Sequence, residues 1–508
     1  FLSYSLIFYL LPLFFITVFF FKWLLNTKTQ RNLPPSPPKL PIIGNLHQLG
    51  QFPHQSLHSL AQQYGPLMLL HLGSVPVLVV SSADAAREIM KTHDLIFSNR
   101  PKLSIASRLM YNYKDMSFAP YGEYWRQIRS ICVLQLLSSH RVESFRTVRE
   151  EETALMIEKI KGLVPAVINL SELFISITND VVCRVALGRK YSGSREGSRT
   201  FKELLGEFLE LLGVFNVGDY IPWLGWLNRV NGLDAKVEKV AKELDDFFEG
   251  VVEDHMDRHE KESGGEYKGQ KDFVDVLLEI QRENVEASPP LQRDSIKALI
   301  LDVFAAGTDT TYTALEWAMT ELLRHPKVMK ELQNEVRGIA RGKVNITEDD
   351  LEKMHYLKAV IKESMRLHPP IPLLIPREST QDVKVMGYDI ATNTRVIINA
   401  WAIGREPLSW DEAEEFRPER FLNTSIDFKG HDFQLIPFGA GRRGCPGTQF
   451  AITVDELALA NLVLNFDFTL PGGARAEDLD MTETPGLTIH KKFPLLAVAT
   501  PCSSSLLV

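Results

Sequence analysis

The chain has 508 residues, of which 45% are hydrophobic and 24% are charged, and its formal net charge is −8. This composition is typical of a globular protein with room for one large domain or for two to three ordinary ones. The mildly acidic balance gives no reason to expect nucleic-acid binding, which needs a basic surface.

The first 25 residues form an apolar run, FLSYSLIFYLLPLFFITVFFFKWLL, in which Lys22 is the only charge. About 20 apolar residues span a bilayer as a helix. The alternative, a cleaved signal peptide, would have a shorter apolar core and a small-residue cleavage site, and neither is visible. Lys28 and Arg31 follow closely, so the positive-inside tendency places the rest of the chain in the cytosol. We therefore predict a single-pass membrane anchor over residues 1–25.

Proline dominates the next segment, LPPSPPKLP at residues 33–41. Proline fixes φ and lacks an N–H group, so this segment cannot be helical and favours a stiff, extended spacer. We predict a proline-rich hinge over residues 26–41 and a body that begins at residue 42.

The body is predicted to contain a β hairpin near its start and to be helical for most of its length. The segment LMLLHLGSVPVLVVSS (67–82) predicts a hairpin that turns at Gly73-Ser74. Helical periodicity begins near residue 83, and the proline-free stretch 294–324 predicts one long, largely buried helix. Thr347-x-x-Asp350 predicts the cap of another helix, which ends at Leu367 before His-Pro-Pro. Short β segments are expected between about 373 and 400. Strands and helices do not alternate regularly, so no doubly wound parallel sheet is indicated.

The segment PFGAGRRGCPG (437–447) allows two interpretations. Gly439-x-Gly441-x-x-Gly444 has the spacing of a dinucleotide-binding loop, but only 64 residues follow Gly444 and no βαβ unit surrounds it. The second interpretation is a metal ligand at Cys445. The four cysteines lie far apart without a CxxC pair, which argues against a disulfide framework or structural zinc. A lone thiolate suffices as the axial ligand of haem iron, where it favours O–O cleavage.

The pattern Phe438-x-x-Gly441-x-Arg443-x-Cys445-x-Gly447 resembles, residue for residue, the haem-binding signature of the cytochrome P-450 superfamily. The resemblance implies a mainly α fold with small β-sheets, built as a helical haem-binding prism with a β-rich N-terminal region. It implies haem b with an axial thiolate from Cys445, a propionate contact from Arg443, and a haem-thiolate catalytic domain over residues 42–508.

Further motifs of this family follow in order along the chain. Ala306-Gly307-Thr308-Asp309-Thr310-Thr311 resembles its oxygen-activation segment, in which Gly307 leaves room for dioxygen and Asp309 and Thr310 deliver protons. The alternative is that these hydroxyls only bond back to the preceding helical turn. Glu363-x-x-Arg366, joined by Arg420 of PERF, resembles the family's buried structural lock. Four more residues match positions that face the haem propionates: Trp125, Arg129, Arg100 and Arg377.

By the same resemblance, the substrate pocket draws on several separate segments. The residues expected to line it are Ile105, Met110, Val303, Phe304, Ala306, Leu373, Leu374, Leu487 and Thr488. Most of these side chains are apolar, so the expected substrate is a lipophilic molecule that enters from the membrane.

Several segments, such as FRPERF, LLGVFNVGDYIPWLGW and RAEDLDMTE, resemble plant A-type members of the seventy-one clan, near menthofuran synthase. The function implied is a monooxygenase of the endoplasmic reticulum membrane. It would take NADPH electrons from a diflavin cytochrome P-450 reductase, with cytochrome b5 as a further partner, and insert one oxygen atom from dioxygen into a terpenoid. Three alternatives stay open: a haem-thiolate isomerase or dehydratase without external electrons, a haem- or lipophile-binding protein without turnover, and a phenolic, coumarin, alkaloid or xenobiotic substrate.

Overall fold

The computed structural model describes residue 17 and residues 31–191, 201–262, 270–283 and 290–502. Helices account for most of these residues. In chain order they are α1 (Pro53–Tyr64), α2 (Ala83–Arg87), α3 (Ser104–Leu109), α4 (Glu123–Ile131), α5 (Ser139–Ser144), α6 (Arg146–Leu163), α7 (Leu170–Leu187), α8 (Phe201–Gly213), α9 (Leu227–Val230), α10 (Leu233–Glu262), α11 (Phe273–Glu283), α12 (Arg293–Arg324), α13 (Pro326–Ala340), α14 (Glu348–Leu351), α15 (His355–Leu367), α16 (Ala400–Ile403) and α17 (Thr448–Asn465).

The strands are short and form small sheets. They are β1 (Leu67–Leu72), β2 (Val75–Val80), β3 (Val167–Asn169), β4 (Arg377–Glu378), β5 (Val383–Val385), β6 (Tyr388–Ile390), β7 (Arg395–Ile398), β8 (Phe466–Thr469), β9 (Glu483–Thr484), β10 (His490–Lys491) and β11 (Leu496–Pro501). The largest sheet has the order β1-β2-β7-β4, and a three-stranded sheet has the order β3-β11-β8. Two hairpin pairs, β5-β6 and β9-β10, complete the β structure of the described residues.

The predicted hairpin and the long helix are confirmed. β1 and β2 pair antiparallel, with Leu67 opposite Val80, and Gly73 takes the positive φ that the turn requires. α12 runs for 32 residues and ends at Arg324, and Pro326 opens α13 at a first-turn position, where a missing N–H costs nothing. The short β segments between residues 373 and 400 are also present, as β4 to β7.

The helix predicted from the Thr347 cap to Leu367 is wrong in one respect, because the chain forms two helices there. Thr347 and Asp350 make the expected capping box, but α14 ends at Leu351. α15 then begins at His355, where the Glu335 carboxylate on α13 accepts hydrogen bonds from the backbone N–H groups of Tyr356 and Leu357 at 2.8 and 2.9 Å. A side chain from another helix thus supplies a second N-terminal cap, which local sequence does not show.

Apart from position 17, the predicted anchor (1–25) lies outside the described residues. The first five positions of the predicted hinge, 26–30, also lie outside them. Among the residues that are described, no helix is both long enough and apolar enough to cross a membrane. Residues 31–39 form neither helix nor strand, and they bind to the body. The Asn32 N–H donates to Asp389 on β6 at 2.8 Å, and the Leu69 N–H on β1 donates to the Pro35 carbonyl at 2.9 Å.

α12 forms the centre of the main hydrophobic core. It packs against α7, α15 and α17, and apolar side chains cover it on nearly every side. Because α12 is buried on nearly every side, its sequence has no clear polar face and only a weak amphipathic pattern. Its length and apolar composition are therefore what indicate that it is buried. A second, smaller core lies where α2, β2 and β7 meet residues 433–440, the segment that leads into the Cys445 loop.

Candidate active site

A large internal cavity lies against α12 and has an atom-free volume of about 1580 Å³, part of it open to solvent. One stripe of α12 forms a wall of this cavity, with Val303, Gly307, Thr310 and Ala314 at intervals of three or four residues. The segments before α4 and β4 and the Cys445 loop supply other parts of the wall. Two described cysteines, Cys132 and Cys445, line it.

Cys445 lies one turn before the N-terminus of α17. Its backbone N–H donates to the Phe438 carbonyl at 2.9 Å, and the hydroxyl of Thr448 donates to the Cys445 carbonyl at 3.2 Å. Cys445 is part of the cavity wall. Burial raises the pKa of the Cys445 thiol, although the Gly447 N–H and the Arg129 charge favour the thiolate. A bound metal ion removes that proton outright, so the site suits a thiolate ligand better than a free thiol.

Gly441 holds the loop against the N-terminal part of the body. Its φ is +69°, and a Cβ atom there would lie 2.3 Å from the backbone oxygen of Met90. Only glycine fits this position without moving the backbone. Gly441 is therefore off the cavity wall, and its role in the signature is close packing, whereas Phe438 and Gly447 line the cavity.

Four arginines, Arg100, Arg129, Arg377 and Arg443, line the cavity. Arg100 donates to the carbonyls of Ser117, Ile375 and Pro376, and Arg443 to those of Ser98, Met116 and Ala119. Asp94 lies 3.3 Å from Arg377, and the charge of Asp115 partly offsets those of Arg100 and Arg443.

The charges of this cluster are poorly compensated. Burial, followed by the neighbouring Arg377, lowers the pKa of Arg443 to about 9. Burial, followed by Arg443 and Arg377, lowers the pKa of Arg100 well below its usual value. Buried cations require an anion, and guanidinium groups pair well with carboxylates. The cluster therefore fits a ligand with carboxylates, and a haem group, with two propionates and an iron that takes a thiolate, satisfies both the arginines and Cys445.

Trp125 differs in detail from the expected propionate contact. Its indole N–H donates to the Met116 carbonyl at 3.0 Å, and the Arg443 guanidinium lies 4.1 Å from its ring centre. Trp125 thus supports an arginine through a cation–π contact. Arg129 has little to hold it in the described structure, its nearest polar contact being the sulfur of Met116 at 3.9 Å.

The predicted oxygen-activation segment divides between two sides of α12. Gly307 and Thr310 line the cavity, and the Thr310 hydroxyl donates to the Ala306 carbonyl at 2.6 Å, the back-bond of the alternative interpretation. A Cβ at Gly307 would meet Val182 on α7 at 3.2 Å, so close helix packing also favours glycine there. Asp309 is off the cavity wall and faces His490, with Oδ1 3.3 Å from Nε2.

Glu363, Arg366 and Arg420 form a buried network. The Glu363 side chain is 0% exposed and accepts hydrogen bonds from Arg366 at 2.7 and 2.8 Å and from Arg420 at 3.0 Å. Arg366 also donates to the carbonyls of Gly404 and Ala413, each at 2.6 Å. The network ties α15 to the segment before PERF, away from the cavity.

Six of the nine predicted pocket residues do not line the cavity. Val303, Ala306 and Leu374 do, whereas Ile105, Met110, Phe304, Leu373, Leu487 and Thr488 do not. Phe304 lies off the α12 stripe and is fully buried in the core. Ile105 and Met110 belong to the same core and are almost completely buried. Leu373 packs under the large sheet, and the turn at Leu487 and Thr488 packs against Gly213 at the end of α8.

Several wall residues were not predicted, among them Met90, Met116, Ser117 and Asp302. The Asp302 carboxylate accepts the Ser117 hydroxyl at 2.6 Å and the Met116 N–H at 2.5 Å, and burial raises its pKa to about 6. Helical spacing from Ala306 would have placed Asp302 on the stripe.

Asp455 on α17 also lines the cavity and is 2% exposed. Within the described part of the chain, neither of its carboxylate oxygens has a hydrogen-bond partner. Burial, followed by the charge of Glu456, raises the pKa of Asp455 well above its usual value. The folded state therefore holds this proton more tightly than the unfolded state, and the free energy of unfolding falls as pH rises above about 4.

We expect Asp455→Asn to be more stable than the parent protein, by an amount that grows with pH, at up to about 1.4 kcal/mol per pH unit. Thermal unfolding midpoints of both proteins between pH 5.5 and 8 measure this difference. A difference that stays constant with pH would show that Asp455 is not held as a buried acid.

Comparison with known proteins agrees with this geometry. The sequence model of the cytochrome P450 family matches residues 34–497. Cytochrome P450 736A117 of Prunus mume is 64% identical over 502 residues, which cover 98% of this chain and 96% of that protein. (+)-Menthofuran synthase of Mentha piperita is 54% identical over 500 residues, which cover 98% of this chain and 99% of that protein. The predicted resemblance to plant members near menthofuran synthase is confirmed.

A solved structure of a zebra fish cytochrome P450 with abiraterone has the same fold. It superposes with a TM-score of 0.74 and 25% sequence identity, covering 89% of this chain and 100% of that chain. The mainly helical fold with small sheets, the cysteine-containing loop and the arginine cluster agree with the family match along most of the chain. The chain therefore belongs to the cytochrome P450 family of oxygen-incorporating oxidoreductases, whose cofactor is haem held by a cysteine thiolate.

Proposed function

We propose that this protein is an NADPH-dependent monooxygenase that inserts one oxygen atom into a lipophilic plant metabolite, with a terpenoid as the preferred class. The observation that carries the proposal is one cavity with the Cys445 thiol, the Thr310 hydroxyl and four arginines on its wall. Similarity to (+)-menthofuran synthase supports the terpenoid class.

The wall residues favour a neutral, apolar substrate. Val303, Ala306, Ile371, Leu374 and Ile375 are apolar, and the carboxylate of Asp302 is occupied by hydrogen bonds to the segment before α4. The arginines are assigned to the cofactor propionates, and burial favours the neutral acid form of Asp455. The described part of the wall therefore offers no free charge to a charged substrate. A lipophilic molecule therefore gains the most from entering this cavity.

Haem bound through Cys445 would supply oxygen activation and insertion. The residues of the chain have separate tasks. Arg100, Arg129, Arg377 and Arg443 would hold the haem propionates. The Thr310 hydroxyl holds a proton at the cavity wall, and Asp309, one residue earlier, keeps a proton source next to it. Glu363, Arg366 and Arg420 keep α15 in position.

The domain arrangement is part of the proposal. Residues 1–25 would anchor the protein in the endoplasmic reticulum membrane, residues 26–41 would link this anchor to the cytosolic catalytic domain 42–508, and a diflavin reductase would supply NADPH electrons, with cytochrome b5 as an additional donor. The contacts of Asn32 and Pro35 with the body support a fixed orientation of the domain relative to the membrane.

The test is the carbon monoxide difference spectrum of reduced microsomes, followed by turnover with reductase, NADPH and a panel of terpenoids. We expect a red-shifted Soret band and oxygenated product that depends on NADPH. Product without NADPH would indicate an isomerase or dehydratase, and a normal band without product from any terpenoid would overturn the terpenoid assignment.

Thr310→Ala is expected to uncouple NADPH oxidation from oxygenation. Loss of the hydroxyl removes a proton donor at the wall, so we expect NADPH consumption to continue, product per NADPH to fall about 10²-fold and hydrogen peroxide to rise. Thr310→Ser, which keeps the hydroxyl, is the matched control and should retain most of the coupling. Equal coupling in Thr310→Ala and the parent enzyme would remove this role.

A further inference from the structure

The side chain of His490 on β10 bridges α12 between Asp309 and Thr313. Its Nε2 atom lies 3.3 Å from Oδ1 of Asp309, and its Nδ1 atom lies 2.8 Å from Oγ1 of Thr313. The ring also stacks on Tyr312, with centroids 5.1 Å apart and planes at 19°. Three residues of one helix thus hold a single imidazole in one orientation.

The hydrogen bonds define the protonation state of His490. The Thr313 hydroxyl donates its only proton to the Asp309 backbone carbonyl at 2.7 Å, so it can only accept from Nδ1–H of His490. Nε2 faces a carboxylate oxygen and must also carry a proton to bond with it. This arrangement suits a doubly protonated imidazolium paired with the carboxylate of Asp309.

The surrounding charges agree with this assignment. Burial alone would lower the pKa of His490, but the hydrogen bond to Asp309 and the charges of Asp309 and Glu316 outweigh it and raise the pKa. Glu316 is bonded to Ser171 and to the Lys491 N–H. Lys491, the next residue of β10, directs its ammonium to the Asp480 carbonyl and over the Trp317 ring.

We propose that His490 supplies Asp309 with the protons that the oxygenation reaction consumes. His490 is not on the cavity wall. A quarter of its side chain is exposed, so the imidazole can exchange protons with water outside the cavity. Oδ2 of Asp309 is buried without a hydrogen-bond partner among the described residues, so it is available to pass a proton on toward the neighbouring Thr310. A histidine is suited to this task because it gains and loses a proton near neutral pH.

The proposal rests on the monooxygenase function above, whose balance is RH + O₂ + NADPH + H⁺ → ROH + H₂O + NADP⁺. In each transfer, Nε2–H of His490 gives its proton to Oδ1 of Asp309, and rotation of the neutral carboxyl group then turns that proton away from His490 toward Thr310. The neutral imidazole keeps its Nδ1–H bond to Thr313, and water outside the cavity returns the proton to Nε2. Asp309 returns to the carboxylate once its proton is used.

The first experiment measures product and hydrogen peroxide per NADPH for full-length His490→Gln with reductase. Glutamine can still donate to Asp309 but cannot deliver a proton. We expect the reduced carbon monoxide spectrum and substrate binding to be unchanged, while product per NADPH falls about tenfold and peroxide rises. The parent enzyme should also lose coupling as pH rises through the raised pKa of His490, and the variant should show no such dependence.

His93→Gln is the matched control, because His93 is also 25% exposed and lies 3.6 Å from a carboxylate, Glu88, away from α12. It should behave as the parent enzyme. If His490→Gln does not fold, His490→Asn takes its place, since asparagine retains a bond to Thr313. Coupling at the parent level in a folded variant between pH 6.5 and 8.5 would overturn the proposal.

The second readout needs no turnover. Because the folded pKa of His490 is raised, its ion pair stabilises the protein fully below the unfolded pKa of about 6.5, and this stabilisation is lost as pH rises through the folded value. The unfolding midpoint of the parent should therefore fall toward that of His490→Gln over this range, and a constant difference would contradict the ion pair. Absence of NADPH-dependent product in the parent enzyme, by contrast, would refute the proposed function whatever the variants do.

Discussion

Replacing Cys445 by serine is expected to abolish the red-shifted Soret band of the reduced carbon monoxide complex and all NADPH-dependent oxygenation. A serine hydroxyl at this loop cannot provide the soft, strongly donating thiolate that favours O–O cleavage. Residue 445 would keep its position before α17 and its backbone N–H bond to the Phe438 carbonyl, and the packing of Gly441 would not change. We therefore expect a folded protein whose defect is in the iron ligand.

The control is Cys132→Ala, because Cys132 is the other described cysteine on the cavity wall and is 1% exposed. Alanine avoids the unpaired hydroxyl that serine would leave in this apolar site. This variant should keep the thiolate spectrum. A normal thiolate spectrum in Cys445→Ser, or its loss in Cys132→Ala, would show that the iron ligand has been assigned to the wrong cysteine.

Glu363→Ala is expected to destabilise the protein by about 3–5 kcal/mol, the usual cost of removing one partner of a buried ion pair. Arg366 and Arg420 would lose the carboxylate that they share, and Arg366 would stay buried with backbone carbonyls as its acceptors. This cost is a large part of a total stability of about 5–15 kcal/mol. We expect a lower unfolding midpoint and a much smaller yield of protein with bound haem.

Glu158→Ala is the matched control, because Glu158 and Lys161 on α6 have the same i, i+3 spacing and a distance of 2.8 Å, but their side chains are 67% and 35% exposed. Surface pairs contribute at most about 0.5–1 kcal/mol, so this variant should unfold close to the parent. An equal fall of the unfolding midpoint in both variants would show that burial is not the reason for the effect of Glu363→Ala.

Local sequence was sufficient for several elements. The hairpin from β1 to β2 follows from two apolar runs around Gly73, and α12 follows from a long proline-free stretch that ends before Pro326. The loop with Cys445 was recognised because its glycines and cysteine have a rare spacing. In each of these cases, the residues that determine the structure are close together in the chain.

The tertiary structure decided which side chains share the cavity. The α12 stripe includes Val303 and excludes Phe304, since adjacent residues on a helix point about 100° apart. The break before α15 depends on Glu335 of another helix, so the Thr347 cap could not reveal it.

The same division holds for the site itself. From the sequence alone, Cys445 and the Asp309-Thr310 pair could be named as candidates, because these residue types carry out their chemistry in a short motif. The structure alone brought Asp309 to His490, 181 positions later, and left the Asp455 carboxyl group without a hydrogen-bond partner among the residues that it describes. Hydrogen bonds and buried charges depend on distances of a few ångströms in space, and separation along the chain carries no information about those distances.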